Sequence, residues 1–326
     1  MFATQRGLGA TFLAYSAKRP HLQAIELPSG VVRELRARAD AADAAFSQIW
    51  KRTSWLALRS HQQLWSLSVP LSGKARLLFE TWDTVPDADG RSIWTLHPSG
   101  DYWADCDQAG NLGSRRITRL QDERLEAVFG DIALVRDGSR GPLRLRRGGA
   151  PDVECGDSYM VVCQVGRYVA VTTELGATLD ILDLATGTRR RVERVGFGRW
   201  GLFAAPSPNG SLIAIGCDLA PAPRPRPPNV PLDQWLGRMH DPRHDTRNVM
   251  VFIGTNDWTS RIVTEPFENF ASLPAWTQDG SAVAFAIPFE NRIGWLNVTT
   301  PPEFDRIRSR LVPLIDSTDL VGRGIA

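Results

Sequence analysis

PSPNGSLIAIGC, residues 206–217, places a Pro-Asn-Gly turn directly before a short apolar run with Ala214 at its centre. The run is too short for a helix and is rich in β-branched residues, so it reads as a strand entered from a tight turn. Asn-Gly supplies the left-handed backbone that a hairpin reversal needs. The unit recurs. Gly280 is followed by Ser-Ala-Val-Ala284-Phe, Gly166 by Arg-Tyr-Val-Ala170-Val, and Gly100 by Asp-Tyr-Trp-Ala104-Asp. Without the glycine, Leu13-Ala14-Tyr15, Leu56-Ala57-Leu58 and Ile132-Ala133-Leu134 repeat the centre. The seven alanines are spaced by 43, 47, 29, 37, 44 and 70 residues. Most of these lie near the ~40–45 residues of a four-stranded propeller blade.

A second signal accompanies the first. LQAIELPSGVVREL, LWSLSVPLSGKARLLF, LDILDLATGTRRRV and NVMVFIGTNDWTSRIV each read as strand, turn, strand. They would form the two outer strands of a blade, and the run before the turn, as in LFAAPSP and LPAWTQDG, supplies the remaining one. The chain therefore reads as all-β: a single domain over 1–326, a seven-bladed β-propeller of four-stranded antiparallel blades, with six blades as the fallback count. The 29-residue spacing leaves the third blade with short strands or one strand missing. A small alanine suits the place where blades converge on the axis. Blade 1 opens near Thr11 without a first strand, and the C-terminal tail, around Thr318 to Val321, is expected to pair there and close the ring, which removes a bare sheet edge.

Ser207-Pro208-Asn209-Gly210 with Ile213-Ala214, and Trp276-Thr277-Gln278-Asp279-Gly280 with Val283-Ala284-Phe285, resemble the WD40-like repeats of bacterial TolB-type β-propellers. The resemblance extends at blade level over most of the chain. It implies a fold and no particular activity.

Composition sets further bounds. A net charge of +2 with 43% hydrophobic residues gives no global pull toward nucleic acid or a membrane surface. No run approaches the roughly 20 apolar residues needed to span a bilayer, so no membrane insertion is expected. Lysine occurs only at Lys18, Lys51 and Lys74, a skew toward Arg that points to a GC-rich bacterial genome. Cys106, Cys155, Cys163 and Cys217 form no CxxC pair, which favours free thiols in a reducing, cytoplasmic setting. The N-terminal segment is interrupted by Gly7, Gly9 and Thr11 and reads as the first strand of the repeat; a periplasmic propeller is the alternative. Residues 36–50, RARADAADAAFSQIW, read as a short helix giving way to a strand. The arginines at 144, 146 and 147 and at 189–191 read as solvated blade edges, and Trp94, Trp103, Trp200 and Trp276 as core between blades.

The 70-residue spacing marks an insertion between the second and third strands of blade 6, residues 218–248: DLAPAPRPRPPNVPLDQWLGRMHDPRHDTRN. Its first part is proline-rich and extended. After Pro231, Leu232, Trp235, Leu236 and Met239 fall at i, i+3, i+4 and i+7, one apolar face of a short helix. Trp235, Leu236, Arg238, Met239, His240 and His244 are thus the candidate partner-contacting residues. His240, Asp241, His244 and Asp245 have metal-ligand chemistry, but Pro242 breaks a helical HxxxH face and a solvated turn accounts for them. No P-loop, GxSxG, HExxH or dinucleotide fingerprint is present, and no cofactor is expected. His97 falls at the turn position that Ser207 holds in the opening stretch. The leading expectation is a non-catalytic protein-binding or scaffold module that uses one propeller face and the insertion, with room on that face for a small-molecule ligand. The alternative is a lyase or hydrolase with a metal or polar site on the same face.

Overall fold

The computed structural model describes residues 2–3, 10–16, 19–27, 31–35, 46–51, 55–60, 63–68, 76–81, 83–86, 93–104, 106–120, 122–138, 141–158, 160–173, 176–201, 204–219, 247–267, 274–277, 279–287, 292–298 and 308–313. Among them are seven sheets, each of four antiparallel strands in chain order. The first holds β1 (Phe2–Ala3), β2 (Ala10–Ser16), β3 (Arg19–Leu27) and β4 (Val31–Leu35). The second holds β5 (Phe46–Lys51), β6 (Trp55–Ser60), β7 (Gln63–Ser68) and β8 (Arg76–Glu80). The third is built from β9 (Thr84–Pro86), β10 (Ile93–Leu96), β11 (Tyr102–Ala104) and β12 (Arg116–Ile117). The fourth comprises β13 (Glu123–Phe129), β14 (Ile132–Asp137), β15 (Leu143–Arg147) and β16 (Val153–Glu154). β17 (Met160–Val165), β18 (Tyr168–Thr172), β19 (Leu179–Asp183) and β20 (Arg189–Arg191) make the fifth. β21 (Ala204–Pro206), β22 (Leu212–Asp218), β23 (Asn248–Gly254) and β24 (Ser260–Ile262) make the sixth. β25 (Ala275–Trp276), β26 (Ala282–Ile287), β27 (Arg292–Asn297) and β28 (Arg308–Pro313) make the last.

Successive sheets stack through apolar layers. Leu64 and Phe79 meet Ile93 and Cys106 between sheets two and three. Trp94 and Tyr102 meet Leu125 and Val135 between three and four. Leu134 and Leu145 meet Val169 and Leu182 between four and five. Further layers join Ile181 to Ile213, Cys217 and Val251, and Ala214 and Phe252 to Trp276 and Phe285. The opening stretch now has a physical explanation. Along β22, Ile213, Ile215 and Cys217 enter the layer toward sheet five while Leu212 and Ala214 enter the layer toward sheet seven. A strand buried on both faces is a continuous apolar run rather than an alternating one.

The turns follow the same logic. Gly210 has φ +68° and donates its N–H to Ser207 O at 2.9 Å, while Ser207 Oγ accepts from Leu212 N–H at 3.0 Å. Thr277 and Gly280 repeat the arrangement: Gly280 N–H donates to Thr277 O, and Ala282 N–H to Thr277 Oγ1, both at 2.9 Å.

Three details of the repeat differ from the sequence expectation. Six of the alanines lie on second strands, but Ala104 lies on β11, the third strand of its sheet, paired with Trp94. The true copy there is Gly90-Arg91-Ser92-Ile93-Trp94, with tryptophan at the alanine position. Counting from Trp94, the uneven spacings of 47 and 29 become 37 and 39. Trp94 is buried, and the Arg115 guanidinium lies 5.2 Å from its ring. A large residue is tolerated because the position lies in a layer between sheets, where neighbours adjust in volume. For the same reason the alanines do not mark the axis: the contacts that bring neighbouring sheets closest run through first strands, β9 with β13, β17 with β21 and β21 with β25. Finally, Phe2–Ala3 pairs on β2, Phe2 opposite Thr11, so the first sheet has a fourth strand from the N-terminus, where the sequence reading had assigned the tail. Residues 318–321 lie outside the described residues. The third sheet does have short strands, and residues 36–45 of the expected helix–strand segment lie outside the described residues while Phe46–Lys51 form its strand.

Candidate functional site

Strand polarity decides which connections share a face. In an antiparallel meander the second-to-third connection and the exit of the fourth strand lie at one end. The 173–178 connection follows β18, residues 192–203 lead from β20 into β21, and residues 219–247 join β22 to its paired neighbour β23. All three therefore emerge together.

Backbone hydrogen bonds fasten them to one another. Trp200 N–H donates to Gly176 O at 2.9 Å. Gly198 and Arg199 N–H groups donate to Asp218 O at 2.9 and 3.1 Å, and Asp218 N–H returns a bond to Arg199 O at 3.1 Å. Leu219 N–H donates to Arg247 O at 3.0 Å and closes the stem of the insertion. Asn248 and Phe267 exchange both backbone bonds at 2.8 and 2.9 Å. Two glycines permit this packing. Gly176 has φ +70°, and a Cβ on it would stand 1.9 Å from Trp200 O; one on Gly201 would stand 1.6 Å from Gly216 O. Below the stem, the Asp218 carboxylate pairs with Arg199. Burial pushes the Asp218 carboxyl above the usual carboxylate range against the pull of Arg199.

Beside the stem lies a cavity of about 360 Å³ between Ala177–Thr178, Arg191–Arg194 and Trp200. Trp200 is buried, its ring edge-on to Phe197 at 4.7 Å. Its Nε1–H is buried and has no acceptor among the described residues. Thr178 N–H and Oγ1 both donate to Thr173 Oγ1 at 3.0 Å, which holds the cavity wall. Arg191 is bound to Asp180 through both carboxylate oxygens. Arg194 donates to the Gly198 carbonyl. Glu193 also lines the cavity and is exposed. Next to it Val195 is 59% exposed and Ile262 37%, and Ile262 Cδ1 lies against Gly196, where an added Cβ would stand 3.2 Å away.

The residues singled out in the insertion, Trp235, Leu236, Arg238, Met239, His240, Asp241, His244 and Asp245, lie outside the described residues. Trp200 is the residue that sequence reasoning placed only in the core: it is both core and cavity wall. The signal available was the glycine spacing of VGFGRWG, residues 195–201, in which two glycines flank an Arg-Trp pair. His97 fills a turn role: its Nδ1 accepts from Ser99 N–H at 3.2 Å, and Gly100 N–H donates to His97 O at 2.9 Å. That turn joins second and third strands, however, whereas the Ser207 turn joins first and second.

Of the arginines expected at solvated edges, Arg190 and Arg191 are exposed on the outer strand β20, whereas Arg144 and Arg146 are bound to a buried acid. Glu123, only 2% exposed, accepts from Arg146 Nη1 and Nη2 at 2.9 and 2.6 Å, from Arg144 Nη2 at 2.8 Å and from Leu120 N–H at 2.9 Å. Arg136 is fully buried against Glu126 Oε1 at 2.7 Å and Ser158 Oγ at 2.8 Å, tying sheet four to the connection entering sheet five. Trp103 is half-buried beneath Arg116 rather than in the core.

No protein-family model matches the sequence, and comparison with curated proteins likewise gives no match. Solved structures do match. A candidate 6-phosphogluconolactonase from Bacteroides fragilis aligns over 98% of each chain with a TM-score of 0.56 and 12% identity. A protein of unknown function from Desulfotomaculum acetoxidans covers 97% of this chain and 98% of its own at a TM-score of 0.54 and 11% identity. A candidate 6-phosphogluconolactonase from Bacteroides uniformis covers 94% and 97% at 0.52 and 12%. Likeness at this identity speaks to architecture and not to activity. The stacked four-stranded sheets and these whole-chain alignments together make the protein a β-propeller.

Proposed function

We propose that the protein is a binding module that captures a protein partner on the face where the 219–247 insertion emerges. The observation that carries this reading is the fastening of the insertion's stem. The two ends of a connection 29 residues long are held in register, Leu219 to Arg247, and the adjoining Asp218 is cross-bonded to Gly198 and Arg199. A long connection on a rigid scaffold is a common place for function. The apolar pattern of Leu232, Trp235, Leu236 and Met239 suits an anchor that fills a partner's pocket. Four free thiols suit a reducing compartment.

The test replaces residues 220–246 by a two-to-four-residue Gly-Asn turn, which the paired Leu219 and Arg247 accommodate. Partners trapped by in-cell crosslinking are compared between the wild type, the deletion and Trp235→Asp. The expected result is an unchanged thermal midpoint with loss of the trapped partner in both variants. Identical partners in all three would overturn the reading.

A further inference from the structure

We propose that Asn209-Gly210, in the turn between β21 and β22, is a self-modification site: the folded turn holds it unreacted, and on opening water replaces the Asn209 side-chain amide by a carboxylate that the same turn accepts. The proposal stands apart from the protein-binding reading, because this turn lies at the end of sheet six opposite the insertion.

The chemistry comes from the pair of residues. Asn209-Gly210 is the one Asn-Gly pair in the chain, and Asn209 is exposed. Glycine has no Cβ to obstruct the approach of its backbone nitrogen, and its backbone rotates freely. The Gly210 nitrogen loses its proton and attacks Asn209 Cγ. A C–N bond forms, the Cγ–Nδ2 bond breaks, and ammonia leaves with the proton. The cyclic imide then adds one water. Cleavage of the new bond gives aspartate. Cleavage of the original peptide bond gives isoaspartate, which routes the backbone through Cγ.

The fold controls both the step and its product. The attacking nitrogen is occupied, since Gly210 N–H donates to Ser207 O at 2.9 Å. Asn209 Oδ1 accepts from Ser207 Oγ at 2.8 Å and from Ser211 N–H and Oγ at 3.1 and 2.8 Å, which anchors the side chain. The turn is also braced from outside. Thr255 Oγ1 donates to Gly210 O at 2.7 Å, and a Cβ on Gly210 would meet Val165 Cγ1 at 3.4 Å. Attack requires the turn to release these bonds, so the rate follows the fraction of time it is open. Sheet seven shows that a carboxylate fits. There Asp279 occupies the position of Asn209, and its Oδ1 accepts from Ser281 N–H and Oγ at 3.0 and 2.8 Å, the same two bonds. Hydrogen bonds from Thr277 and Ser281 hold the Asp279 carboxyl below the usual carboxylate range. Isoaspartate, in contrast, lengthens the backbone between Ser207 and Gly210 by one carbon and breaks their bond.

The test incubates the full-length protein at mildly alkaline pH, folded and in urea. Anion-exchange chromatography counts the added negative charge. Mass spectrometry of peptides from an acidic digestion locates it, and their retention separates aspartate from isoaspartate. The expected result is conversion at Asn209 in urea and a rate at least about tenfold lower in the folded protein. Ser207→Ala removes the hydroxyl that bonds both Asn209 Oδ1 and Leu212 N–H. It should react faster than the wild type when folded and at the wild-type rate in urea. Thr255→Val, which removes the brace on Gly210 O, gives the same comparison if Ser207→Ala does not fold. Asn209→Asp should keep the wild-type thermal midpoint. The proposal is overturned by no conversion at Asn209 in urea, by equal rates folded and unfolded, by a folded variant no faster than the wild type, or by a midpoint lowered more than about 4 °C in Asn209→Asp.

Discussion

Glu123→Gln offers a quantitative test of how sheet four is held. The substitution keeps the side chain's shape but removes its charge and turns one acceptor into a donor facing the arginine pair. Glu123 is 2% exposed and receives four hydrogen bonds, three of them from Arg144 and Arg146. Removing one partner of a fully buried pair costs about 3–5 kcal/mol. Here Arg144 and Arg146 are 26% and 20% exposed and keep Asp152 within 3.6 and 3.2 Å, so about 2–3 kcal/mol is expected at pH 7. The pH dependence has a definite sign. Burial raises the Glu123 carboxyl pKa, but the Arg146 hydrogen bonds, the Leu120 N–H and the two arginine charges outweigh it, and the net position is below the ordinary 4.5. A depressed carboxyl stabilises the fold above the unfolded-state pKa and loses that contribution as pH falls through the folded one. Glutamine does not titrate. The gap between wild type and variant should therefore be full at pH 7 and smaller at pH 4. Urea unfolding followed by tryptophan fluorescence measures both gaps. A gap below about 0.5 kcal/mol at pH 7, or one that widens on acidification, would refute the reasoning.

Two further outcomes are expected. In Gly201→Ala the new Cβ would stand 1.6 Å from Gly216 O; backbone faces backbone, so a loss of about 2–3 kcal/mol is expected in urea unfolding, together with a displaced Trp200 indole signal. Burial pushes the Cys163 thiol up to about 12 and raises Cys217 as well. Both should react with a disulfide reagent at pH 8 at least about a hundredfold slower in the native protein than in urea; rapid native reaction of either would contradict their placement in the apolar layer between sheets five and six.

Much of the architecture was legible because propeller blades are local. Each sheet is one contiguous stretch of chain, so turn glycines and short apolar runs report on strands that pair with their sequence neighbours. The misreading of Ala104 shows the limit. A Gly-x-x-apolar-Ala pattern occurs on a third strand there, while the true second strand carries Trp94, and only pairing distinguishes them. The arginines at 144 and 146 show another. As letters in a strand they resemble a solvated edge, and their role depends on Glu123, twenty-odd residues away on a strand that is not their neighbour in sequence.

The cavity was the least legible feature, since its walls come from residues 177–178, 191–194 and 200. The only local mark on Trp200 is the pair of glycines flanking Arg199-Trp200, which does not reveal the other walls. By itself the sequence determined the all-β class, the repeat of strand–turn units and the position of the insertion, because these depend on backbone preference and on apolar periodicity within a few residues. Tertiary structure alone decided which sheets share an apolar layer, which charges are buried together, and that the buried Trp200 forms part of a cavity wall. Those properties arise where separate stretches of chain exclude water from one another, and no single stretch carries the information.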